Sequence, residues 1–155
     1  LRRSRGLGDV YKRQILCSTM SQSMPLIYSG QEVGLNKSLR FFSRDTIDWE
    51  TPSQTEFYSK ALALKKSQIS LANGGWGGDQ TRIETGNKSV YAFSREKGRN
   101  NVIVFLNFDS EQAQITYTNA PKGEYTNWFN GEDLIIKKTG DLSLAPNSFL
   151  VLTRD

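Results

Sequence analysis

"MPLIYSGQEVG", residues 24–34, poses the fold question for the whole chain. Pro25 opens a short apolar run, Leu26-Ile27-Tyr28, and Gly30 closes it with an amide and a carboxylate, Gln31 and Glu32, directly behind. A continuous apolar run of this length, bounded by turn residues, fits a strand buried on both faces, as in a parallel sheet. Periodicity alone leaves a buried helix segment open, and the length favours the strand. Parallel α/β folds bind ligands at the carboxyl ends of their strands, which is where Tyr28 to Glu32 would lie. A carboxylate at that position could order an active site, accept sugar hydroxyls, or satisfy backbone donors at the turn. The pattern leaves the structural and the functional role of Glu32 equally open.

Residues 35–53 show no sustained period and read as a long loop. "SQTEFYSKALALKKSQISLANGG", residues 53–75, reads as an amphipathic helix. Ser53 stands three residues before Glu56, the spacing of a capping box. Phe57, Ala61, Leu64 and Ile69 share a face, with Lys60, Lys65 and Lys66 toward the other, and Asn73-Gly74-Gly75 stops the run. Strand, loop and helix together make one α/β unit.

The pattern changes after "GGWGG", residues 74–78. From Arg82 onward, short apolar segments alternate with turn residues about every ten positions, as in an antiparallel sandwich or barrel. "VIVFLNF", residues 102–108, is apolar at nearly every place and predicts a central strand. Tyr117, Tyr125, Trp128 and Phe149 supply bulk for a small two-layer core.

Upstream, "LRRSRGLGDVYKRQ", residues 1–14, is unlike the rest: Arg2, Arg3, Arg5, Lys12 and Arg13 against Asp9 account for the whole net charge of +4. The basic balance therefore gives no ground for a nucleic-acid partner. Ile15-Leu16-Cys17 is too short for the apolar core of a signal peptide. "DVYKRQ" is similar to a translated transposon end used in sequencing libraries, and residues 1–14 are expected to be an assembly artefact that makes no core contacts. The true protein would begin well before Ile15. No apolar run is long enough to cross a bilayer as a helix. The single cysteine, Cys17, excludes an internal disulfide framework, and the absence of histidine removes the usual general base and commonest zinc ligand. Hydrolytic chemistry would have to rest on carboxylates.

Other candidates are weaker. "GGWGG" lacks the Lys-Ser/Thr of a phosphate loop and follows a helix instead of opening one, so it reads as a flexible interdomain turn. Asn36-Lys37-Ser38 and Asn87-Lys88-Ser89 match a glycosylation tripeptide that arises often by chance. Trp49, Trp76, Tyr91 and Trp128 could stack on sugars; Tyr91 and Trp128 are expected in the core, whereas Trp49 and Trp76 fall in loops.

Residues 24–34 resemble the Gly-x-Pro-x-x-Tyr-x-Gly-Asp/Glu-Glu segment of the α-amylase family, glycoside hydrolase family 13, with Ser23 for the usual glycine and Gln31 for the usual acid. "RDTIDW", residues 44–49, is similar to that family's β8–α8 loop, and "FYSKALALKK", residues 57–66, to its closing helix. "VYAFSREKGRNNVIVFLNF", residues 90–108, resembles the opening strands of its C-terminal β-sandwich. The series runs in family order from residue 15 to 155.

The resemblance implies the last β/α unit of a (β/α)8 TIM barrel over residues 15–80, then an antiparallel Greek-key β-sandwich over 81–155. It implies a parent that cleaves α-1,4-glucans such as starch and maltooligosaccharides, by a retaining mechanism with two carboxyls about 5 Å apart. The catalytic carboxylates of the family lie on earlier strands, so the 155-residue chain is expected to be inactive. Tyr28, Gln31, Glu32, Arg44 and Asp45 are the implied substrate-binding residues, at the mouth of the barrel. No metal or cofactor is assigned to this segment; calcium belongs, by resemblance, to the upstream part of the parent. The implied partners are an α-glucan and the missing barrel, with neither nucleic acid nor membrane. The alternative is a non-catalytic carbohydrate-binding or docking β-sandwich module.

Overall fold

The computed structural model describes residues 7–35, 37–40, 42–49 and 54–155. Two helices, α1 (Leu7–Thr19) and α2 (Thr55–Ser67), precede eight strands. These are β1 (Asp79–Ile83), β2 (Val90–Lys97), β3 (Asn100–Asn107), β4 (Ala113–Thr118), β5 (Gly123–Asn127), β6 (Asp133–Ile136), β7 (Thr139–Leu144) and β8 (Phe149–Arg154). Six strands form one sheet in the order β1-β2-β3-β8-β5-β6, and β4 and β7 form a second; every pairing is antiparallel.

"VIVFLNF" is apolar throughout because β3 is covered on both faces. Ile103 and Phe105 point into a core shared with Ile115 and Tyr117 of β4 and Leu144 of β7. Val102, Val104 and Leu106 point the other way, onto Ile15 of α1, Ala61 and Leu64 of α2, and Leu71. Successive side chains of a strand alternate between faces, so one strand serves two cores. Each such fully buried side chain contributes about 1.5–3 kcal/mol of burial. By contrast β4, with one face to solvent, shows strict alternation of buried and exposed residues. Tyr117 and Tyr125 lie in the core between the sheets, as expected, whereas Tyr91, Trp128 and Phe149 pack, partly buried, against the helix-side core, and the Trp128 indole N–H donates to the Lys60 carbonyl at 2.9 Å.

Three expectations are corrected. Residues 24–28 do not form a strand: the segment pairs with nothing among the described residues, and Leu26 and Tyr28 are 77% and 63% exposed. A parallel strand needs neighbours on both edges to take its N–H and C=O groups, and the described residues supply none. Residues 1–14 were expected to stay off the core, yet α1 starts at Leu7 and packs. Tyr11 and Ile15, four residues apart and so on one helix face, both reach the core: the Tyr11 ring lies 4.1 Å from that of Phe57, and Ile15 is fully buried. Lys12 is 1% exposed, its ammonium donating to Asn147 Oδ1 at 2.5 Å. The GGWGG turn is closely packed at its second half, while Gly74, Gly75 and Trp76 stay exposed. A Cβ on Gly77 would strike the Ala72 carbonyl and the Arg95 guanidinium, and one on Gly78 the Glu96 backbone.

Helix α2 carries the expected apolar face at Phe57, Ala61 and Leu64, but it ends at Ser67, short of the expected stop at residues 73–75, and Ile69 lies beyond it, 56% exposed. Ser53 lies outside the described residues; Gln54 occupies the N-cap without a side-chain cap bond. Glu56 pairs instead with Lys60 at 2.9 Å, one turn on.

Candidate functional site

The extended segment ends in a tight double turn. Gln31 N–H donates to the Tyr28 carbonyl at 2.9 Å, and Leu35 N–H to the Gly30 carbonyl at 2.9 Å. Gly30 adopts φ +93°, and a Cβ there would come within 2.7 Å of Leu35 Cδ2, so both conformation and space require glycine. Residues Gln31–Val33 form one turn of 3₁₀ helix, closed by Gly34 at φ 72°.

The polar pair at this tip folds back on its own backbone. Gln31 Oε1 accepts from Tyr28 N–H at 2.9 Å, and Glu32 Oε2 accepts from Gly30 N–H at 3.0 Å. The Glu32 carbonyl accepts from Thr55 Oγ1 at 3.2 Å, joining the tip to the start of α2. Beneath it lies the buried Tyr58 hydroxyl, whose pKa is raised first by burial and further by the charges of Tyr11 and Glu32.

A hollow of about 400 Å³ opens beside the tip, lined by Tyr28, Ser29, Gln31, Leu35, Lys37, Ser38 and Leu39. Of the five residues expected to bind substrate, Tyr28 and Gln31 line it. Glu32 lies next to it in the turn, and Arg44 is exposed on the following loop. Asp45 binds the loop to itself: its carboxylate takes Lys37 Nζ at 2.7 Å and the N–H groups of Arg40 at 3.1 Å and Thr46 at 2.9 Å. These bonds hold its pKa at about 2, the Lys37 bond counting most. Lys37 and Leu35, both in the hollow wall, carried no sequence signal, because nothing in their spacing distinguishes them from ordinary loop residues.

Asp45 and Glu56 are both shifted toward the ionised form, the direction opposite to that of a proton donor in glycoside hydrolysis. Among the described residues no three His, Cys, Asp or Glu side chains converge as a metal site. A larger hollow, about 550 Å³, lies along β5, β6 and β8. Its polar groups are partly spent on one another: Thr126 Oγ1 donates to Asp133 Oδ1 at 2.7 Å, and the Arg154 guanidinium sits 4.9 Å over the Tyr125 ring.

Residues 83–155 match the family of the α-amylase C-terminal all-beta domain. Over 138 residues the chain is 30% identical to a cyclomaltodextrinase of Thermoanaerobacter pseudethanolicus, covering 83% of this chain and 22% of that protein. Among solved structures, a noncanonic maltogenic alpha-amylase from Thermotoga neapolitana superposes with a TM-score of 0.77 at 17% identity, over 96% of this chain and 36% of the other. The alpha-amylase of Geobacillus thermoleovorans, solved with acarbose, gives a TM-score of 0.76 at 19% identity, over 96% of this chain and 33% of its own. The chain thus spans about a fifth of the curated relative and about a third of the solved amylases. At these identities the solved structures speak for the fold.

Proposed function

We propose that the chain is the C-terminal part of a hydrolase of α-1,4-glucans of the α-amylase family, a reading supported by the match of residues 83–155 to the α-amylase C-terminal all-beta domain. The observation that carries the proposal is the exposed apolar row of Met24, Leu26 and Tyr28 on an extended, unpaired segment. Such a row in water calls for covering surface. The order of segment, helix and all-β domain is the order expected of the last barrel strand, the closing helix and the sandwich.

In this reading Met24 and Leu26 of the row pack against the preceding strands of a barrel, and the tip at residues 28–32, which carries the Tyr28 ring, reaches the glucan cleft. Tyr28 and Gln31 offer a ring and a carboxamide to the sugar; Glu32 holds the turn; Arg44 and Asp45 belong to the loop that borders it. Bond cleavage falls to a nucleophile and an acid/base on other strands, since retention requires two carboxyls about 5 Å apart across one bond. Small displacements of such groups cost orders of magnitude in rate, and the loop acids of this chain are not fixed across a substrate.

The test is to incubate the purified chain with a chromogenic maltooligosaccharide. No release of the aglycone above background is expected. Sustained release proportional to the chain's concentration, surviving repurification, would overturn the assignment of catalysis to other segments.

A further inference from the structure

We propose that the Lys37–Asp45 ion pair is the positioning element that makes the hollow at the tip a receptor for neutral saccharide and not for a phosphorylated one. The inference rests on the glucan reading above and adds the selectivity of the site.

Lys37 lines the hollow, yet its ammonium is paired: Nζ lies 2.7 Å from Asp45 Oδ1 and donates to the Thr46 carbonyl at 2.8 Å, which uses two of its three N–H groups. Asp45 is itself held by the backbone N–H groups of Arg40 and Thr46, so its carboxylate is fixed before Lys37 meets it. With the head group neutralised, Lys37 presents its methylene stem to the hollow, as long basic side chains do when the charge is satisfied elsewhere. The remaining wall is Tyr28, Gln31, Leu35 and Leu39 with Ser29 and Ser38. That lining is amphipathic and its one cation is paired: it offers C–H contact and neutral hydrogen-bonding groups, the needs of a sugar's apolar face and hydroxyls, and no unpaired cation for a phosphate. Asp45 then acts on the ligand only through Lys37.

The experiment is an NMR titration of the isotopically labelled chain with maltose and, separately, maltose 1-phosphate, following the amides of Tyr28, Gln31 and Leu39. In the unsubstituted chain, maltose shifts these amides and the phosphate ester binds more weakly. Asp45→Asn frees the ammonium, and the ratio of the two affinities moves toward the phosphate ester by about fivefold, the scale of one partly exposed charge pair. The double variant Lys37→Met, Asp45→Asn removes the cation again and restores the preference for maltose. A mere loosening of the loop would weaken both ligands alike and would not be reversed. Unchanged ratios in Asp45→Asn, with maltose still bound, would overturn the role of the pair alone. Amides of the unsubstituted chain that maltose does not shift would overturn this inference, and the glucan reading, whose cleft includes earlier strands, would then rest on the reading frame upstream.

Discussion

Arg95 is the residue on which the helices and the sheets meet. It is 1% exposed, on the helix-side face of β2, and donates to five carbonyls. Thr19 and Met20 end α1; Leu71 and Ala72 follow α2; Gly78 precedes β1. These are chain ends whose carbonyls lack intrahelical or ladder partners, and a rigid fork of N–H donors satisfies several at once. Burial pushes the guanidinium pKa down, with the Asp79 charge opposing. Arg95→Met should remove these donors, leaving the Met20 and Leu71 carbonyls only their bonds from Ser23 N–H and Lys65 Nζ, and cost about 3 kcal/mol or more. Arg95→Lys should fall between, since one ammonium cannot span them. Urea unfolding midpoints measure both; a loss under about 1 kcal/mol for Met would mean that water replaces the arginine.

Asp45 gives the second prediction at this scale. Its carboxyl titrates at about 2 when the loop is folded, below the ordinary 3.8, chiefly through Lys37. A carboxyl depressed in the folded state adds stability above its unfolded pKa and loses it as pH falls through the folded one. The loop tie should therefore be complete above about pH 4 and weaken between about pH 4 and pH 2. NMR of the Asp45 carboxyl and the Arg40 and Thr46 amides should show that step, and Asp45→Asn should remove it.

Among the elements, those with a period of their own were legible. Helix α2 shows its apolar face at Ala61 and Leu64, and β3 shows the unbroken run of a strand with two buried faces. The segment at 24–28 was legible as extended but not as unpaired, because an apolar run records the surroundings it suits and not whether these residues supply them. Helix α1 was missed since its basic residues imitate a solvated tail, and the burial of Lys12 depends on Asn147, far away in sequence. At the site, Tyr28 and Gln31 were readable from their place at the end of the run. The part played by Lys37 was not, as it exists only once Asp45 is folded against it. The packing of α1 makes a definite prediction. Deleting residues 1–14 removes the Tyr11–Phe57 stacking and the buried Lys12 contact, and should lower the thermal midpoint by about 5 °C or more. An unchanged midpoint would show that the first turns of α1 add nothing to the fold.

For the molecule as a whole, the large sheet is the common wall of two cores: helices cover one face and the small sheet covers the other. That arrangement gives the all-β domain a fixed attachment to α1 and α2. It leaves Met24, Leu26 and Tyr28 as an apolar edge turned to solvent. The central claim is that this edge belongs against the earlier strands of an α-glucan hydrolase. The most direct measurement is the genomic reading frame upstream of helix α1 (Leu7–Thr19). The account predicts a continuous frame encoding alternating strands and helices of a barrel, with an aspartate, a glutamate and a second aspartate at the ends of its later strands. A frame encoding a linker or an unrelated domain there would contradict it.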